Sequence, residues 1–129
     1  MGYTFEENAR IFKVSGRYVL NNNFNPAAHY GTRDIVFGRS KPSQFDPSLT
    51  GGIPRQYMSR CWSFPAERLA DIAATFDSMR RVMEVIYLQK HYVDIEHLLY
   101  LYMPRYGITE LDVVGVEGQL GPNGLQVKD

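Results

Sequence analysis

The sequence predicts an α+β fold: a small, mainly antiparallel sheet packed against one long amphipathic helix and one shorter apolar helix. Three observations predict it. Apolar residues recur at three- and four-residue spacing from Pro65 to about Gln89, the signature of a helix with one buried face. A second, shorter apolar run follows Asp94. Short β-rich runs bounded by Gly, Pro and Asn fill most of the rest.

The elements follow in order. Ile11, Phe12 and Val14 precede Ser15-Gly16, and Tyr18, Val19 and Leu20 follow it. Two β-rich runs joined by a Gly-containing link predict a hairpin. Asn21 to Pro26 ends it, because asparagine side chains bond their own backbone and proline lacks a donor. From Asn21 to Arg55 the chain reads as mostly irregular, with Asp34 to Gly38 the one strand. Its aromatic residues Phe24, Tyr30, Phe37 and Phe45 disfavour disorder, so this long connection is expected to lie ordered against the domain or a partner.

Gln56 to Phe64 reads as a strand with Met58, Arg60, Trp62 and Phe64 on one face. Ser63 is then placed as the N-cap of the long helix, with Pro65 in its first turn. The helix stripe is Leu69, Ile72, Ala73, Phe76, Met79, Met83, Ile86 and Tyr87. A break near Arg81 followed by a strand from Val82 to Leu88 is the alternative, given the β preference of valine, isoleucine and tyrosine. Asp94 caps a second helix, Ile95 to Met103, which Pro104 stops. That helix is apolar on most sides and is expected to be buried. Glu110 to Val116 reads as a strand. Gly121 to Gly124 reads as a turn, and Leu125 to Val127 as an antiparallel return.

Length and composition bound the class. A chain of 129 residues predicts one domain spanning residues 1–129. A composition of 44% hydrophobic and 22% charged residues is that of a soluble globular protein. The single cysteine, Cys61, excludes an internal disulfide and a multi-cysteine metal cage. The longest apolar stretches fall far short of the roughly 20 residues that span a bilayer, and Met1 to Glu7 lacks the basic start of a secretory signal. A cytoplasmic protein without a membrane partner is therefore expected.

Net charge is zero, but the average hides an asymmetry. Asn8 to Arg60 holds eight basic residues against two acidic ones, whereas Cys61 to Asp129 holds six against ten. Such halves mark either a binding face or mutual complementation within the fold or an oligomer. The candidate interaction surface is Tyr30, Arg33, Arg39, Lys41, Arg55 and Tyr57, where arginine suits phosphate or carboxylate and aromatic rings suit stacking. With Phe37 interleaved, the segment 21–60 also suits a nucleic-acid-binding domain, although a pI near 6.8 is far from the usual basic footprint.

No catalytic or metal constellation emerges. His91, Asp94 and His97 would fan across about 120 degrees of a helix, too loose for zinc, and Asp94 is better explained as a cap. Cys61 beside Trp62 in a strand reads as an inert buried thiol. The segment Ala28-His29-Tyr30-Gly31-Thr32-Arg33 could hold a phosphate or nucleotide. Together with a strand that runs into a helix from Met58, it resembles, in element order alone, the small ADP-ribosyltransferase folds. That resemblance implies a nucleotide-binding enzyme, but neither Glu84, in the helix pattern, nor Glu117, in a Gly-rich turn, stands where the acidic catalytic residue belongs.

Five tyrosines between Tyr87 and Tyr106 resemble interface composition. The sequence therefore favours a non-enzymatic interaction or assembly module without a cofactor, either a subunit of a larger complex or a viral accessory protein. Its expected partner is another protein or a second copy of itself.

Overall fold

The computed structural model describes residues 5–120 and 124–129. Its chain order is β1 (Arg10–Val14), β2 (Tyr18–Leu20), α1 (Pro26–Tyr30), β3 (Ile35–Gly38), β4 (Lys41–Pro42), β5 (Arg55–Gln56) and β6 (Cys61–Pro65). There follow α2 (Leu69–Leu88), α3 (Ile95–Tyr102), β7 (Ile108–Leu111), β8 (Val116–Leu120) and β9 (Leu125–Lys128). The α+β class is as the sequence predicts.

Strand β6 organises the molecule. All five of its residues are buried, so both faces and both edges need cover. β1 pairs antiparallel on one edge, with Phe12 opposite Ser63. β3 pairs antiparallel on the other and carries β7 in parallel beyond it, giving the order β1-β6-β3-β7. Side chains alternate along strands, so Ile35, Phe37, Trp62 and Phe64 share the face beneath the long helices, where they meet Ile72, Met79, Leu98, Leu99 and Met103. The Phe37 ring stacks between Tyr57 at 4.5 Å and Trp62 at 4.9 Å. The opposite face carries Cys61 and Ser63. A second, three-stranded sheet has the antiparallel order β2-β8-β9.

β1 and β2 are strands, but they do not form a hairpin. Tyr18 N donates to Ser15 O at 3.0 Å, yet the strands diverge, β1 to β6 and β2 to β8. The Ser-Gly link sets a turn; the fully buried β6 claims β1 because an uncovered edge there would leave its backbone groups unpaired.

Residues 21–55 are more regular than expected. Asn25 Oδ1 accepts from Ala27 N and Pro26 occupies the first turn of α1, while β4 and β5 form a two-stranded ladder. Ser63 caps no helix: β6 continues to Pro65, and a 3-10 turn over Ala66–Arg68 leads into α2 without a side-chain cap. The strand expected from Gln56 begins in earnest only at Cys61, after β5 has paired with β4. Helix α2 runs unbroken through 82–88, overruling the strand alternative, because its apolar stripe continues through Val82, Met83 and Ile86 onto the core.

Three further expectations are corrected. Ala73 and Tyr87 leave the α2 stripe and stand exposed, replaced by Thr75. In α3, Leu98 and Leu99 are buried but Leu101 is exposed, since an eight-residue helix can bury only one side. The strand expected over 110–116 is two strands, β7 and β8, separated by a loop that ends on Gly115 at φ +89°. The return strand at 125–127 is present as β9, antiparallel to β8; the turn before it, 121–123, lies outside the described residues. Among the described residues no helix is long and apolar enough to cross a membrane.

Candidate functional site

The six residues singled out from the sequence divide between two ends of β3 and the core. At one end, Tyr30 is exposed and lays its ring near Phe12, 6.0 Å between centroids. Arg33 there bonds Asn8 Oδ1 at 2.7 Å and pairs with Glu67. At the other end, Arg39, Lys41 and Arg55 come together. Arg39 pairs with Asp112, Lys41 lies in β4, and Arg55 donates to the side chain and carbonyl of Ser40 at 2.7 and 2.8 Å. Tyr57 belongs to neither group: it is buried in the core, and its hydroxyl donates to Glu110 Oε2 at 2.8 Å. Burial and the adjacent Glu110 carboxylate push its pKa well up, so it stays a neutral donor.

The charge asymmetry is matched in part inside the fold. Arg33 pairs with Glu67, Arg39 with Asp112 and Glu110, and Arg60 with Asp129. Each pair joins a basic residue of the first half to an acidic one of the second. Phe37 and Tyr57 are buried, so of the three aromatic residues interleaved with the basic ones only Tyr30 offers a ring for base stacking. That removes most of the platform a single-strand-binding surface needs.

The His29 segment does not present a ligand site either. His29 is 1% exposed, and its Nδ1 lies 2.7 Å from Ser63 Oγ. Arg10 Nε donates to the same oxygen at 3.1 Å, so the hydroxyl proton points to His29 Nδ1. Nε2, held among Phe12 and Phe24, is left without a partner. Burial, reinforced by the Arg10 charge, lowers the imidazole pKa to about 4, so His29 is neutral near pH 7.

His97 is likewise structural. Nδ1 faces the Asp94 cap, which accepts from Glu96 N and His97 N, and Nε2 lies 2.7 Å from Ser43 Oγ. Gln56, also buried, donates to the Asp94 carboxylate and accepts from Gln44 N at 2.7 Å. This network ties the loop over 43–56 to the start of α3. Among the described residues no group of three or more His, Cys, Asp or Glu is placed to hold a metal.

Concave features beside Arg33 are lined by the 5–10 segment, Pro65 and Glu67, and two others lie elsewhere. The first is a cleft of about 110 Å³ between the two sheets, with Cys61 and Val116 on its floor and Met58, Leu111 and Val114 as walls. Arg39, Lys41 and Arg60 stand around it beside Asp112 and Asp129. It arises because β3 and β7 run parallel, with Gly38 opposite Leu111, so the segments leaving both strands emerge at one edge and meet. Arg39 and Lys41 were legible as candidates, but Met58, Arg60 and the 111–116 segment were not. Nothing local marks residues 70 positions apart as neighbours.

The second is a groove of about 420 Å³ between the 50–54 loop and the two long helices, lined by Pro54, Ile86, His91, Tyr100 and Leu101. Beside it the last turn of α2 protrudes: Tyr87 is 75% and Leu88 79% exposed, with Val85, Leu49, Tyr92 and Leu101 each about half exposed. Compared with family models, with curated proteins and with solved structures, the chain matches none.

Proposed function

We propose that the protein is an assembly module that pairs with a second copy of itself through the protruding end of α2 and the groove beside it. The observation that carries this reading is the exposure of Tyr87 and Leu88 on consecutive positions of one helical turn. Exposed large apolar side chains of this kind are normal singly, but a cluster marks an interaction surface. Val85, Leu49, Tyr92 and Leu101, each about half exposed, add to the large apolar side chains displayed around this end of α2.

A two-fold interface uses the same patch on both copies. If residue i of one copy meets residue j of the other, j must meet i. Tyr87 and Leu88 of each copy then enter the groove of its mate, against Ile86, Tyr100 and Leu101. A net charge of zero removes long-range repulsion between copies.

Sedimentation velocity across a concentration series tests the reading. The wild-type chain is expected to reach dimer mass at micromolar concentration, and Leu88→Glu to sediment as a folded monomer. A wild-type chain that stays monomeric throughout the series, or a Leu88→Glu variant that still dimerises, refutes it.

A further inference from the structure

We infer that the cleft between the two sheets is a binding site for a small carboxylate, with an apolar body on the Cys61 floor and its carboxylate at Lys41 and Arg60. The inference is independent of self-association, which uses a different surface.

The size of the cleft sets the size of the ligand. A closed apolar cavity of about 150 Å³ accommodates benzene, so about 110 Å³ suits a body of roughly four to six non-hydrogen atoms. The walls set its chemistry. Met58, Leu111, Val114 and Val116 offer apolar contact. Gly38 keeps one wall open: a Cβ there would come 2.7 Å from Val114 Cγ2.

The rim sets the charge. Arg39 is matched by Asp112 and Arg60 by Asp129, so both acids at the rim are engaged. The Lys41 ammonium makes no hydrogen bond or ion pair among the described residues, so it is the rim cation left to take an anionic partner. Arg60 is held in place by Tyr18, through Nε at 3.2 Å, and by Asp129, through Nη1. Its Nη2 makes no bond among the described residues. A fixed, largely buried guanidinium edge on the same rim as an exposed, unpaired ammonium is an arrangement that receives a carboxylate without first ordering both cations. Both cations are donors only, so a neutral amide of the same shape offers them a single carbonyl acceptor and no charge to pair with, where a carboxylate offers two charged oxygens.

Cys61, the single cysteine, is buried and its thiol pKa is raised by that burial, so alkylation of the free protein is slow and a molecule seated on the floor slows it further. Isovalerate is the probe, isovaleramide its neutral counterpart and inorganic phosphate the bare anion. Binding in the millimolar range is expected of so small a ligand. Isovalerate should slow alkylation of Cys61 by iodoacetamide several-fold and raise the melting temperature, whereas isovaleramide and phosphate should do neither. Lys41→Gln, an exposed change that leaves the fold intact, should remove most of the protection without altering the unliganded melting temperature.

Equal protection by the amide, protection by phosphate alone, or full protection in Lys41→Gln would each overturn the inference. If the free protein resists alkylation, methyl NMR decides: isovalerate must shift the signals of Leu111, Val114 and Val116, and unmoved signals sink the proposal.

Discussion

Nδ1 of His29 stands 2.7 Å from Oγ of Ser63, a bond that fastens the five-residue helix α1 to the central strand β6. The ring is buried and its far nitrogen has no partner, so protonation would place an unsolvated charge near Arg10. Its pKa accordingly falls from 6.5 to about 4.

The pH dependence of stability follows with a definite sign. Between about pH 6.5 and pH 4 the unfolded chain binds a proton at His29 that the folded chain refuses. The stability contributed by the neutral ring is therefore complete above pH 6.5 and lost as pH falls towards 4, by up to about 3 kcal/mol. Urea titrations of wild type and His29→Phe over this range should diverge: the variant keeps the ring contacts and loses that share of the slope. Parallel pH profiles would refute the assignment.

Ser43 supports His97 from a distance of 54 residues in sequence. Ser43→Ala strands the buried Nε2 and removes the acceptor of Phe45 N. A loss of about 1–3 kcal/mol is expected, with faster amide hydrogen exchange over 43–56. Unchanged exchange in that segment would show that the network does not hold the loop.

Two arginine pairs should behave differently. Arg39 and Asp112 are both well exposed, while Arg60 and Asp129 are each about four-fifths buried. Arg39→Ala is expected to change stability by less than about 1 kcal/mol. Arg60→Ala should cost about 2 kcal/mol or more, because it strands a largely buried carboxylate and removes the ring contact with Tyr18. Chemical denaturation of both variants measures the contrast, and equal losses would contradict it.

Gly115 is a position where a methyl group should do great harm. Its φ is +89°, and a Cβ would stand 2.3 Å from the backbone of Phe24. Backbone cannot move aside as a flexible side chain does. Gly115→Ala should cost at least about 2–3 kcal/mol, whereas Gly16→Ala, with nothing within 4 Å of the added carbon, should be nearly neutral. Thermal melts of the two variants give the comparison.

Much of the fold was readable along the chain, and the unread parts share a cause. Helix α2 was legible because its apolar spacing persists over five turns, and the start of α3 because Asp94 is a cap with a local mechanism. β1 and β2 were legible as strands, but their partners were not. Propensity speaks for a segment, whereas pairing depends on which other segment must be covered. Ser63 shows the same limit: beside Pro65 it has the local chemistry of a cap, but the buried bonds to His29 and Arg10 place it in a strand.

The candidate surface was half legible for the same reason. Arg39, Lys41 and Arg55 do converge, since a short β4–β5 ladder and Ser40 hold them. Tyr57 was misplaced because alternation assigns it a face without saying that this face is the core.

By itself the sequence determined the α+β class, the two principal helices, most of the strands and the presence of basic and acidic halves. These rest on spacing, capping and composition, which are properties of neighbouring residues. Only the tertiary structure decided that Arg33, Arg39 and Arg60 pair with acids of the other half, that His29 and His97 are buried fasteners, and that the end of α2 is exposed. It alone decided the cleft, because the parallel pairing of β3 with β7 brings together segments whose separation along the chain carries no trace of their contact.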